Sequence, residues 1–131
     1  MELLIVVAII GILVSIATAS YGTAQKKSRD TRRVSDMKSV QNAWEQYYAD
    51  NNAAYPPGTD TGACDISMMT NSSTYLPGGL PKDPKTGAEY IGPVCSSKKY
   101  CFCATLEIAT SGMKDCYGAA TTTLYCVSNL Q

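Results

Sequence analysis

One hundred and thirty-one residues provide for one domain, and eleven basic residues against eleven acidic ones leave no net charge to draw a polyanionic partner. The chain has no histidine, no G-x-S-x-G, no phosphate-binding glycine loop and no cluster of hard metal ligands. The usual templates of hydrolysis, phosphoryl transfer and metal catalysis therefore lack their residues, and the reading is of a non-enzyme with neither cofactor nor metal.

In the first nineteen residues, MELLIVVAIIGILVSIATA, Glu2 is the only charge, and eleven of the fourteen residues from Leu3 to Ile16 are Leu, Ile or Val. At roughly −0.3 to −0.6 kcal/mol each near a bilayer centre, these residues sum to roughly −3 to −7 kcal/mol. A carboxylate at mid-bilayer costs about 2.5 to 3.5 kcal/mol, and less near an end. The segment thus prefers a membrane or a water-free protein interior despite its acid. A plain anchor has no use for a carboxylate at its apolar tip, so Glu2 calls for a partner. As a helix the stretch spans about 26 Å, slightly short of a hydrocarbon core of about 30 Å. It has no small-residue cleavage site and no preceding basic region, which disfavours a removable signal peptide.

After Ala19 the composition turns polar, without a proline before Pro56. Val34, Met37, Val40, Trp44, Tyr47 and Tyr48 recur at three- and four-residue intervals, an apolar stripe on one helical face. On the polar side Arg32 can pair with Asp36, and Gln41 with Glu45. The pattern predicts one helix from near Met1 to about Asn52, stopped by Asn51-Asn52 and then Pro56-Pro57-Gly58. Gly11, Gly22 and the hydroxyls of Ser15, Thr18 and Ser20 mark its weakest region. The basic run Lys26, Lys27, Arg29, Arg32 and Arg33 has the composition of a nucleic-acid or anionic-lipid track, but Asp30 and Asp36 dilute it. It reads better as the solvated collar of a helix leaving a membrane. The positive-inside tendency would place that collar, and the cysteines beyond it, in the cytoplasm; a basic leader upstream of Met1 removes the conflict with disulfides.

From Ala53 to about Lys99 prolines and glycines dominate, with a short helix expected from Asp65 and a glycosylation-type triplet at Asn71-Ser72-Ser73. Tyr100, Phe102, Ala104, Leu106 and Ile108 then alternate with Cys101, Cys103, Thr105, Glu107 and Ala109, which predicts a strand. Residues 121–127 make a second strand and 88–92 a third. Cys64, Cys95, Cys101, Cys103, Cys116 and Cys126 read as three disulfides, because a head of about eighty residues needs staples. The C-x-C spacing at Cys101 and Cys103 suits one face of a strand rather than a zinc knuckle. Pairing the last two strands can bring Cys103 near Cys126, leaving Cys64, Cys95, Cys101 and Cys116 to pair. The predicted fold is α+β: a long N-terminal helix, about 1–52, packed by its C-terminal half on a small antiparallel sheet. Its parts are an apolar segment 1–24, an amphipathic half 25–52 of the same helix, and a disulfide-rich head 53–131.

The run E-L-L-x-V-V-A-I-I-G-I-L, the uninterrupted helix after it and the cysteine-bearing sheet together resemble type IV pilins and the related type II secretion pseudopilins. Tyr75-Leu76-Pro77, Leu80-Pro81-Lys82-Asp83-Pro84 and Tyr90 are similar to the loop that leads into the sheet in that family. The resemblance implies a precursor with a short basic leader, held in the inner membrane and cleaved and N-methylated by a prepilin peptidase. An ATP-driven assembly machine then extrudes it into a helical homo-oligomer on the cell surface. Glu2 matches the family glutamate that neutralises the N-terminal amine of a neighbour, and Gly11 with Ser15 and Ala17 would allow close helix approach in the filament core. Two departures stand out. Only Met1 precedes the glutamate, so the methylated residue cannot be assigned, and no proline loosens the first helix, which leaves Gly11 as the place for any unwinding.

The implied function is the structural subunit of an extracellular pilus. The alternatives are a secretion pseudopilin, or a minor pilin in adhesion or DNA uptake. Residues 110–131 hold only Asp115 as an acid, too few oxygen ligands for the calcium site of the secretion branch, and six cysteines suit a shear-bearing surface filament. Nucleic acid would meet such a filament only on its surface. The head tyrosines Tyr55, Tyr75, Tyr90, Tyr100, Tyr117 and Tyr125 can stack on sugars or bases, although sheet faces and loop anchors are their commoner use.

Overall fold

A computed structural model describes residues 2–56, 74–109, 113, 114, 116 and 120–130. Cys64, the helix expected from Asp65, the Asn71 triplet and Tyr117 lie outside the described residues.

Helix α1 runs from Glu2 to Asp50, 49 residues, or about 74 Å at 1.5 Å per residue. It passes through Gly11 and Gly22 without a break, so the helix is not unwound at Gly11, the place the sequence left open for it. A glycine costs only about 1 kcal/mol against alanine in a helix, too little to open a backbone ladder that continues on both sides. The nearby hydroxyls bond within the helix, Ser15 Oγ to Ile12 O at 2.7 Å and Thr18 Oγ1 to Ser15 O at 3.0 Å. The helix stops where the asparagine pair predicts. Asn52 takes a left-handed φ of 53°, and Ala53 N donates to Tyr48 O at 3.1 Å, closing the last turn with the longer loop typical of such caps.

Strands β1 (Ile91–Ser96), β2 (Lys99–Thr105) and β5 (Leu124–Ser128) form an antiparallel sheet in the order β1-β2-β5. β3 (Met113–Lys114) and β4 (Ala120–Thr121) pair as a separate two-stranded ribbon. The expected third strand is shifted from 88–92 to β1, with Glu89 making only an isolated bridge to Lys82. The predicted strand at 100–109 ends at Thr105 because the next amides turn elsewhere: Leu106 N donates to Thr123 O at 2.7 Å, and Glu107 and Ile108 donate to Asp30. The predicted strand 121–127 is divided, its start belonging to β4 and the rest to β5.

The alternation in β2 sorts as expected. Tyr100, Phe102 and Ala104 are buried in one cluster with Met37, Val40, Ala43 and Trp44 of the helix, and Leu106, just beyond the strand, is buried as well. The Trp44 ring lies 4.9 Å from Tyr100 and 5.0 Å from Phe102, the latter edge-on, and Tyr55 closes the cluster at 6.2 Å. Cys103 faces Cys126 in register across β2 and β5 and is bonded to it, while Cys101 is bonded to Cys116. Cys95 is also disulfide-bonded.

Candidate assembly surface

Among the described residues, the N-terminal half of α1 meets nothing of the head. Leu3 is 75% exposed and Ile9 53%, and the other large apolar residues through Ile16 lie between the same bounds. Exposure on consecutive residues means that the helix is apolar all round, the pattern of a segment made for a non-aqueous surrounding rather than for one packed face. Burying a large aliphatic side chain is worth about 1.5 to 3 kcal/mol, so the eleven from Leu3 to Ile16 together favour leaving water by something on the order of 20 kcal/mol. The helix is long and apolar enough to cross a membrane.

Glu2 lies in the first turn and has no hydrogen bond or ion pair among the described residues. The positive end of the helix dipole contributes only about 0.3 to 1 kcal/mol to a carboxylate there, much less than its desolvation would cost. Gly11 presents bare backbone: a Cβ built on it would meet nothing within 4 Å. It is therefore not required by any packing among the described residues.

Among the described residues, Arg29 is the first of the helix to bond the head, through Glu107 just beyond β2. Here the collar expected from the basic run is corrected. Lys26, Lys27 and Arg32 are exposed, but Arg33 is 3% exposed and Asp30 8%. Asp30 and Arg33 continue the three- and four-residue spacing of Met37, Val40 and Trp44 toward the N-terminus, so the buried face extends one turn beyond the apolar stripe as an ion pair. Arg33 donates to Asp83 at 2.6 Å, to Asp30 at 2.7 Å and to Glu107 at 3.0 Å. Arg29 grips Glu107 with two bonds of 2.6 and 2.8 Å, the bidentate fit of a guanidinium to a carboxylate. The Asp30 carboxylate accepts the Glu107 and Ile108 amides at 2.9 Å each, which turns the chain as it leaves β2.

The loop singled out by its Leu-Pro-Lys-Asp-Pro sequence supplies the other jaw. Asp83 Oδ1 accepts the Lys85 and Thr86 amides at 2.8 and 2.9 Å, leaving Oδ2 for Arg33. Gly87 N returns to Asp83 O at 2.8 Å with φ of 69°, a conformation that favours glycine. The Arg33 bond, with the turn amides, holds the Asp83 carboxyl well below the usual carboxylate range despite partial burial. Arg29, then Arg33, lowers Glu107 to about 2. Hydrogen bonding to Asp83 raises the already high pKa of Arg33 further.

A second polar anchor sits at Glu45, whose carboxylate accepts Tyr100 Oη at 2.8 Å, Tyr55 Oη at 3.1 Å and Leu130 N at 3.1 Å. Asp36 accepts Tyr90 Oη at 2.6 Å, and Gln41 Nε2 donates to Ser128 O at 2.7 Å. The expected pairs Arg32–Asp36 and Gln41–Glu45 are thus replaced, because partners brought in by the sheet and loops desolvate these groups whereas a surface pair stays wet. Burial, and then the neighbouring carboxylate, pushes Tyr55, Tyr90 and Tyr100 well above the ordinary phenol range. Tyr75 donates to Asp50 at 3.1 Å and meets the Tyr47 ring, and Tyr125 packs on the core. These tyrosines are anchors of the head and, among the described residues, leave no row of free rings for stacking.

The predicted assembly residues Glu2 and Gly11 therefore lie on the free helix, while the cysteines of the described residues lie in the sheet region. Sequence reasoning missed Asp30, Arg33, Asp83 and Glu107 as one group. The signal for Asp30 and Arg33 was present in the continued spacing, whereas Asp83 and Glu107 carried none. Comparison with protein-family models, with curated proteins and with solved structures gave no match.

Proposed function

We propose that this chain is a structural filament subunit of the type IV pilin kind, held in a membrane first and in a bundle of its own helices afterwards. The observation that carries the reading is the exposed apolar half-helix, continuous with the helix half that packs on the head and bearing at its tip a carboxylate with no partner among the described residues. Lipid satisfies the aliphatic residues but offers Glu2 no partner. A neighbouring copy offers both an apolar surface and an N-terminal ammonium, and pairing removes most of the cost of burying the acid. Bare backbone at Gly11 and the inward-bonded hydroxyl of Ser15 permit close helix approach in such a bundle. The ionic clasp around Arg33 and the disulfides suit a head that bears load outside the cell.

The test is Glu2→Ala in cells that assemble the protein. Surface shearing and electron microscopy should find polymers of the wild-type chain and few or none of the variant, with the variant head still folded and membrane-held. Abundant normal filaments from Glu2→Ala would sink the pairing argument. A wild-type chain found only as dispersed monomers would overturn the filament reading and favour a simple anchored module.

A further inference from the structure

Cys101 and Cys103 share the face of β2 turned away from Trp44, because Tyr100, Phe102 and Ala104 occupy the other. Cys126 comes to them on β5, and Cys116 from the turn between β3 and β4. The four Sγ atoms all lie within 4.8 Å of one another, and Cys103 Sγ touches Cys116 Sγ of the other bridge at 3.2 Å. Two disulfides that only staple separate segments have no need to be in contact. Here they form one compact group of four sulfurs, with Cys103 buried and the other three partly so.

We propose that the same four cysteines, as free thiols, form a tetrathiolate site for a divalent cation of zinc type. Zinc holds four thiolates at about 2.3 Å, which sets the sulfurs about 3.8 Å apart at the corners of a tetrahedron. That edge falls between the 3.2 Å contact and the 4.8 Å limit of the group. On binding, four S–H protons leave to solvent as four metal–sulfur bonds form, so affinity rises with pH. Disulfide and metal are alternatives, since each sulfur serves one or the other. The C-x-C pair argued against a zinc knuckle, and this site is not one: its ligands converge from three segments through the tertiary fold. In the reduced chain the ion would hold β2, β5 and the Cys116 turn together before any bridge exists. The inference does not depend on the filament reading.

The experiment uses the full chain in detergent micelles, reduced with a phosphine under anaerobic conditions, with cobalt as the probe and zinc as competitor. One equivalent of cobalt should produce the visible bands of a tetrahedral thiolate complex, and one equivalent of zinc should remove them. The double variant Cys64→Ser, Cys95→Ser should keep the spectrum and the one-to-one stoichiometry, while Cys116→Ser should weaken binding at least tenfold and alter the bands. Reduced wild type without tetrahedral bands overturns the proposal. So do bands that survive in Cys116→Ser but vanish in the double variant.

Discussion

Arg33 and Glu107 stand 74 residues apart in the chain and 3.0 Å apart at the junction of helix and sheet. One lies on the helix face that also carries Trp44, and the other just beyond the end of β2. Their contact, with Asp30, Asp83 and Arg29 around it, is where the projecting helix becomes fixed to the head. Force applied to the apolar half-helix would reach the sheet through this cluster before it reached the aromatic core.

Arg33→Ala should be the most damaging single change in the clasp. It leaves the carboxylates of Asp30 and Asp83 without their guanidinium, and loss of one partner from a buried ionic group costs about 3 to 5 kcal/mol. Trp44 is the only tryptophan in the chain and lies in the core, so its fluorescence in a guanidinium titration of the micellar protein reads the loss directly. A change under about 1 kcal/mol, the range of surface pairs, would show that the cluster is a wet contact instead.

Acid should loosen the head in a defined window. Glu107 ionises near 4.5 in an unfolded chain and near 2 in the folded one, so as the pH falls the unfolded state takes up its proton first. The stabilisation is complete above about pH 4.5 and disappears as the pH falls through about 2; Asp83 acts in the same direction. Guanidinium midpoints measured across that range should decline, and Glu107→Gln should flatten the decline while starting from a lower plateau.

Alkali should act through the tyrosines with the opposite sign. Tyr55, Tyr90 and Tyr100 have folded-state values raised above 10, so above that pH the unfolded chain loses protons that the folded chain keeps. Their contribution is whole below pH 10 and is lost as the pH climbs toward their folded values. Tyr100→Phe should reduce the slope of midpoint against pH above 10, and an unchanged slope would contradict the Glu45 anchor.

Removing one bridge by Cys103→Ala with Cys126→Ala should cost about 2 to 4 kcal/mol, because the bridge closes a loop with a sequence separation of 23. The thermal midpoint of the micellar protein under non-reducing conditions measures this. The long helix should keep its far-ultraviolet signal, since α1 gains its ladder locally.

Some of this protein was settled by sequence alone, where neighbours along the chain decide the outcome. An apolar run of the right length, an acid at its tip, no proline before Pro56 and an asparagine pair at the end fix helix α1 almost to the residue, because helical bonds are local. The alternation from Tyr100 to Ala104 fixed which face of β2 would meet Trp44, because the side-chain period of a strand is built into its backbone. The same period made a Cys103–Cys126 pairing available, but the strand register of the folded sheet decided it. What the tertiary structure alone decided is which polar groups would be buried. Asp30 and Arg33 looked like members of a wet collar, and Glu45 like half of a surface pair. Each became an anchor because a loop or strand from far along the chain excluded water from it and supplied its partners. The free energy of a charge depends on what surrounds it in space, and local sequence does not encode that surrounding.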